Sequence, residues 1–218
     1  MIKLRGAVFD ADGTLLDSMA IWKDLGAMFL RKRGVEAEAG LSQTLQALEM
    51  AEVAAYLKKT YGLPGEIPQI LEEITDMVRE FYAFTVEAKP GVLPFLAKLK
   101  ARGIPMCIAT SNFRWLLAPA LERCGISAYI PDMFTAVELE TGKAEPLIFD
   151  RARERLGTLP GETVVFEDAP YAMRTAKNAG YQVVAVYDDW YRDAREEIEG
   201  LADAAITTFD ETEGIFDV

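Results

Sequence analysis

The chain of 218 residues contains no histidine. That excludes histidine-dependent triads, histidine-ligated metal sites and phosphohistidine chemistry. Acid–base work near neutral pH is left to carboxylates, lysine, tyrosine or cysteine. Cysteine is scarce too: Cys107 and Cys124 stand alone, with no Cys-x-x-Cys. Two such thiols make neither a disulfide framework nor a zinc site. Cys107 falls in an apolar strand pattern and Cys124 at a helix end, so both read as inert packing thiols. No apolar run approaches the ~20 residues of a membrane span. The opening Met1-Ile2-Lys3-Leu4-Arg5-Gly6 runs into the first strand without an apolar signal segment, so a reduced, cytoplasmic protein is expected. Positive charge is short as well: 23 Lys and Arg stand against 35 Asp and Glu, a formal net charge of −12. Lys and Arg supply most non-specific nucleic-acid affinity, so neither nucleic acid nor membrane is expected as a partner. A phosphate-handling site in such a chain needs local cations and a metal to overcome the chain's own field. Oligomeric state is not legible.

What the sequence does have is apolar content for a substantial core, 50% of its residues, and one dense stretch near its start. Ala7, Val8 and Phe9 form a buried-strand pattern, followed by Asp10-Ala11-Asp12-Gly13-Thr14-Leu15-Leu16-Asp17. Two carboxylates one residue apart thus sit where a strand ends and the chain turns. In an open α/β sheet that edge is where ligands bind. Paired acids repel unless a cation offsets them. Mg²⁺ fits, because it takes oxygen ligands and often binds through one or two carboxylates plus a substrate phosphate. A solvated acidic turn, or the Asp-x-Asp of a nucleotide-sugar transferase, would also account for the bare tripeptide.

The remaining pattern orders the chain. Residues 18–85 read as helical: Ile21, Leu25, Met28 and Phe29 mark one helix. Leu45, Leu48, Ala51, Val53, Ala55 and Tyr56 suggest a second, and Ile70, Ile74, Met77, Val78, Phe81 and Tyr82 a third. After Lys89-Pro90-Gly91, strand-like runs at 104–109, 133–137, 163–166 and 182–186 alternate with helical ones. That implies a parallel sheet with right-handed crossovers. Ala204 to Thr208 suits an edge strand in an otherwise acidic tail.

The full Phe9-Asp10-x-Asp12-Gly13-Thr14-Leu15-x-Asp17 resembles the first motif of the haloacid dehalogenase superfamily of phosphohydrolases. Three further stretches, each at a strand end or adjoining loop, resemble the later motifs in order. The first is Thr110-Ser111-Asn112, which by itself would read as a Ser/Thr turn capping a helix. The second is Gly142-Lys143-Ala144-Glu145-Pro146, where a lone lysine is commonly a surface salt-bridge partner. The third is Glu167-Asp168-Ala169 after Val164-Val165-Phe166. Two departures stand out: Ala144 replaces a proline, and Ala169 and Ala172 replace the usual serine and glycine.

The resemblance covers about residues 5–187 and implies an α/β fold. A Rossmann-like parallel-sheet core (1–17 and 88–218) would carry an inserted α-helical cap domain (18–87), as in β-phosphoglucomutase-like and phosphoglycolate phosphatase-like members. It implies Mg²⁺ as cofactor and a small-molecule phosphate ester as substrate. Asp10 would be the nucleophile and Asp12 the general acid/base. Asp10, the Asp12 carbonyl and Asp168 would hold metal. Thr110, Ser111, Asn112 and Lys143 would bind phosphate, with Thr110 and Lys143 also stabilising charge in catalysis. Glu167 and Thr14 would support the site. The cap would close over the substrate, with Trp22 and Lys23 setting specificity, although Trp22 suits a core anchor equally. Related mutases hold a histidine on the first cap helix, and Trp22 occupies that position here. A hydrolase is therefore expected over a sugar phosphomutase. A non-catalytic binding or regulatory protein is the third reading.

Overall fold

A computed structural model describes residues 1–46 and 48–217. Ala47 and Val218, which fall within the expected domain bounds, lie outside the described residues. Two compact units emerge: Met1–Asp17 with Val86–Val218, and Ser18–Thr85.

The first unit has the α/β fold expected. Its main sheet contains β2 (Gly6–Phe9), β3 (Met106–Thr110), β4 (Met133–Thr135), β5 (Thr163–Glu167), β6 (Gln182–Val186) and β7 (Ala204–Ile206). All pairings are parallel, in the order β4-β3-β2-β5-β6-β7. Every residue of β2, β3 and β5 is buried. Continuous apolar strands of this kind need cover on both faces. Helices α5 (Val92–Ala101), α6 (Arg114–Arg123), α7 (Leu147–Leu156), α8 (Pro170–Asn178) and α9 (Arg195–Leu201) complete the unit. Side chains alternate across the pleat. Val8, Cys107, Ala109 and Val165 join one core cluster with Ile148 and Phe149 of α7, Ala172 and Met173 of α8 and Ile198 of α9. Facing the other way, Phe9 stacks on Phe166 with ring centroids 4.5 Å apart, and Phe95 meets both rings edge-on. Such aromatic pairs add about 0.5–1.5 kcal/mol each beyond burial.

Strand order decides where chemistry can happen. From β2 the chain builds outward through β3 to β4, then returns to place β5 on the other flank of β2. The order therefore reverses at β2, and a crevice opens beyond its carboxyl end. Register aligns Phe9 with Ile108 and Phe166, so the residues that follow these positions reach one edge together.

The second unit is helical: α1 (Met19–Lys32), α2 (Leu41–Leu45), α3 (Met50–Tyr61) and α4 (Ile67–Phe84). Ile70, Ile74, Val78 and Tyr82 form the buried stripe of α4. The Leu45-to-Tyr56 pattern proves to be two helices, not one. Glu49 caps α3 reciprocally with Glu52, which starts a fresh helix and leaves Leu45 on α2 and Leu48 between them. The first unit also holds a two-stranded parallel sheet, β1 (Ile2–Lys3) with β8 (Phe216–Asp217), that the sequence pattern does not signal. Two-residue strands carry no period to detect. Among the described residues, no helix is long and apolar enough to cross a membrane.

Candidate active site

Asp10 directly follows β2, and its N–H donates to the Phe166 carbonyl at 2.9 Å, which fastens it to β5. Beyond it the chain folds tightly on itself. The Leu15 and Leu16 amides donate to the Ala11 carbonyl at 3.0 and 2.8 Å, and Gly13 sits at φ 79°. Glycine is favoured there because a side chain strains a left-handed backbone. The outgoing 15–17 segment pairs with the returning one: Lys89 N–H donates to Leu15 O and Asp17 N–H to Glu87 O, both at 2.9 Å.

Four charged side chains from three chain segments meet in this unit. Asp10, Lys143, Glu167 and Asp168 are all buried. The Lys143 ammonium donates to Asp10 Oδ1 and, at 2.6 Å, to Glu167 Oε1. Glu167 Oε2 accepts the N–H groups of Asp168 and Ala169 at 2.9 and 3.0 Å. Asp168 Oδ2 is buried with no hydrogen-bond partner among the described residues. One carboxylate oxygen from each of Asp10, Glu167 and Asp168 lies within 4.8 Å of the others.

The electrostatics follow from this crowding. Burial is the largest cause pushing the Asp10 carboxyl up to about 7; Lys143 pulls it down, and Glu167 and Asp12 push it further up. Asp168 is raised well above the ordinary carboxylate range by burial first, then by Glu167 and Asp10. Burial alone would lower the Lys143 ammonium, yet Asp10 and Glu167 raise it, so it stays protonated at neutral pH. The three carboxylates thus lack positive charge.

That deficit suits a divalent metal on this chain's own terms. Fully ionised, three carboxylates against one ammonium would leave two negative charges in a buried volume, a state that the raised Asp10 and Asp168 resist until a cation joins them. An orphaned carboxylate oxygen points to a missing partner. The donors are hard oxygens, the set that Mg²⁺ or Ca²⁺ selects.

The other expected site residues fall into distinct places. Asp12 is partly exposed, and its Oδ2 accepts from Asn112 Nδ2 at 2.9 Å. Thr110 is buried at the end of β3, and its Oγ1 accepts the Asn112 N–H at 3.1 Å. Ser111 is exposed. Thr14 is buried, and its Oγ1 has no partner among the described residues. Trp22 and Lys23 lie on α1 in the helical unit. There the Trp22 indole N–H donates to the Tyr82 hydroxyl at 3.1 Å, while Lys23 is exposed. Glu167 stands closer to the centre than a supporting part requires, because its carboxylate touches Lys143 directly.

Two tyrosines escape sequence reasoning. Tyr171, on the first turn of α8, has its hydroxyl pushed up by burial and then by Glu167. Tyr191 is raised by burial and then by Asp168, Tyr171 and Glu167, which places it beside the acidic cluster. The signal was available: Asp188-Asp189-Trp190-Tyr191 lies just past the carboxyl end of β6.

Comparison with known proteins adds an independent line. A family model described as haloacid dehalogenase-like hydrolase matches residues 4–180. Hexitol phosphatase A of Escherichia coli is 30% identical over 188 residues, 85% of this chain and 84% of that protein. A probable pseudouridine-5'-phosphatase of Drosophila melanogaster is 30% identical over 195 residues, 85% of this chain and 83% of that protein. Among solved structures, a putative beta-phosphoglucomutase from Thermotoga maritima superposes with a TM-score of 0.86 at 22% identity, over 97% of this chain and 98% of that one. That last likeness is one of fold.

Proposed function

The chain belongs to the haloacid dehalogenase-like hydrolases and is a phosphohydrolase; from that premise we propose a Mg²⁺-dependent phosphatase that cleaves a small phosphate monoester, such as a sugar phosphate, through an aspartyl-phosphate. The observation that carries the reading is the buried Asp10–Lys143–Glu167 contact with the unpartnered Asp168 oxygen beside it.

Asp10, Asp168 and the Asp12 carbonyl would hold Mg²⁺, with Glu167 alongside. When bound, the ion supplies positive charge that lets a carboxylate approach a phosphate. An Asp10 oxygen bonds to phosphorus as the bond from phosphorus to the alcohol oxygen breaks. Asp12 gives its proton to that departing oxygen. In the second half Asp12 takes a proton from water, whose oxygen attacks the same phosphorus. The Asp10–phosphorus bond then breaks and inorganic phosphate leaves. Lys143 keeps Asp10 oriented and offsets charge on the transferring group. Thr110 accepts from Asn112 through its oxygen, so its own hydroxyl hydrogen is available to a phosphoryl oxygen. The Ser111 amide completes that cradle.

The helical unit serves as a cap that selects the alcohol. Lys23 and Trp22 are its specificity candidates, with Trp22 also anchoring α1 through Tyr82. Hydrolysis is favoured over mutation because the chain has no histidine to assist Asp12. Relatives named as phosphatases support the same reading. The test is inorganic phosphate release from a panel of phosphate esters, with and without Mg²⁺, for the wild type and Asp10→Asn. Release that requires both Mg²⁺ and Asp10 is expected. Equal release by the variant would refute the nucleophile, and isomerised sugar phosphate without free phosphate would favour the mutase.

A further inference from the structure

Asn112 was expected among the phosphate ligands, but its hydrogen bonds describe a different task. Its side-chain amide donates through Nδ2 to Asp12 Oδ2 at 2.9 Å. Its Oδ1 accepts the Phe113 N–H at 2.8 Å, at the mouth of α6. Its own N–H donates to Thr110 Oγ1 at 3.1 Å. The Phe113 N–H only donates, so Oδ1 faces it and Nδ2 is left to face Asp12. Asn112 is thereby tied to β3 and α6, and it grips a residue 100 positions away in sequence. The β2–β3 register, Phe9 opposite Ile108, holds the two loops side by side.

We propose that Asn112 is a positioning residue for Asp12: it holds the carboxylate in the rotamer that delivers a proton to the departing alcohol. This rests on the phosphatase reading and deepens it. Asp12 is partly exposed and lies in a loop, and the Asn112 donor favours one rotamer of its carboxylate over the others. A proton donor contributes only within hydrogen-bond reach of the leaving oxygen. A misplacement of 1 Å is enough to cost on the order of a hundredfold. The Asn112 bridge also links the Asp12 proton donor to the Thr110 hydroxyl, so the group that gives the proton and one that holds the phosphoryl oxygens share a single anchor.

The proposal makes a prediction that a phosphate ligand would not. Proton delivery matters when the leaving alcohol is a poor leaving group and hardly at all when it is an acidic phenol. Contact with the phosphoryl group matters equally for both. The experiment measures kcat/KM of the wild type, Asn112→Ala and Asn112→Leu on 4-nitrophenyl phosphate and on the best alkyl phosphate from the panel. This ratio covers steps only through alcohol release, so the later hydrolysis does not mask the effect. Asn112→Leu keeps the residue's approximate size and removes the donor without adding charge, which guards against a folding defect in the alanine variant. A loss of about tenfold or more on the alkyl ester, with less than about threefold on the aryl ester, is expected in both variants. Equal losses on the two esters would reassign Asn112 to phosphate binding and overturn the proposal, as would no loss on either. The wild type and Asp10→Asn are assayed in parallel. Asp10-independent phosphate release there would defeat the phosphatase reading itself, an outcome distinct from equal losses at Asn112.

Discussion

Replacing Asp10 by asparagine should change how the metal-free protein's stability depends on pH. In the folded chain, burial first and then Glu167 and Asp12 push the Asp10 carboxyl up to about 7 against the pull of Lys143. Unfolding returns it to the ordinary value of 3.8. A group whose folded value is raised contributes stability that is fully present below its unfolded value and is lost as pH rises through its folded value. The wild type, measured in chelator, should therefore lose stability between pH 5 and pH 8 from this residue. Asparagine does not titrate, so the variant is spared that loss. At ~1.4 kcal/mol per pH unit over the interval where the folded state holds the extra proton, Asp10→Asn should gain roughly 2–3 kcal/mol on the wild type between pH 5 and pH 8. Urea denaturation of both proteins at the two pH values, with a chelator present, reads the difference directly. Asp168 titrates in both proteins, and Asp10 is one of the groups that raise it, so the variant's Asp168 also loses less stability with rising pH and adds to the difference in the same direction. Added Mg²⁺ should then stabilise the wild type at pH 8 more than the variant, by about 2.7 kcal/mol at a hundred times the dissociation constant if the variant binds negligibly. A stability difference that stays constant within about 0.5 kcal/mol across this pH range would refute the argument that burial and carboxylate crowding dominate at Asp10.

Three more outcomes follow from the same geometry. Lys143→Met removes the ammonium that both Asp10 and Glu167 contact; in chelator it should cost about 3–5 kcal/mol by urea denaturation, as loss of one partner from a buried pair does, and abolish phosphate release. Asp168→Asn replaces an oxygen of the acidic cluster; stabilisation by Mg²⁺ in thermal melts should fall sharply, and an unchanged Mg²⁺ response would remove Asp168 from the metal ligands. Trp22→Phe keeps a ring on α1 but deletes the N–H donated to Tyr82; it should lower stability by about 1 kcal/mol in urea titrations, and a change in ester preference without that loss would favour substrate contact over anchoring.

Much of the fold was legible because its determinants are local. The strand runs before Asp10, Thr110 and Glu167 show themselves as short apolar stretches, and the alternation with helices gives the parallel sheet. The helical block shows in the α4 stripe of Ile70, Ile74, Val78 and Tyr82. Where local reading failed, a short-range cue was outweighed or absent. The Glu49–Glu52 capping box separates α2 from α3 inside one apolar pattern. The β1–β8 pairing is too short to leave a pattern at all. At the site, residue type and strand-end position marked Asp10, Asp12 and Asp168 for examination, and the resemblance of Gly142-Lys143-Ala144-Glu145-Pro146 to a family motif marked Lys143. They said nothing of Tyr191, which enters from the tail, or of the side of Asn112 that faces Asp12.

The sequence by itself determined the elements, their order and the positions of the polar residues at strand ends, since periodicity and turn chemistry act over a few residues. The tertiary structure decided which of those polar groups share one buried volume. Lys143 meets Asp10 across 133 positions of chain, and Asn112 meets Asp12 across 100. Desolvation and through-space charge, which raise Asp10 and Asp168 and leave one Asp168 oxygen without a partner, depend on distance and burial. Neither quantity is a property of spacing along the chain; both arise only when β2, β3 and β5 bring their carboxyl ends to a single edge.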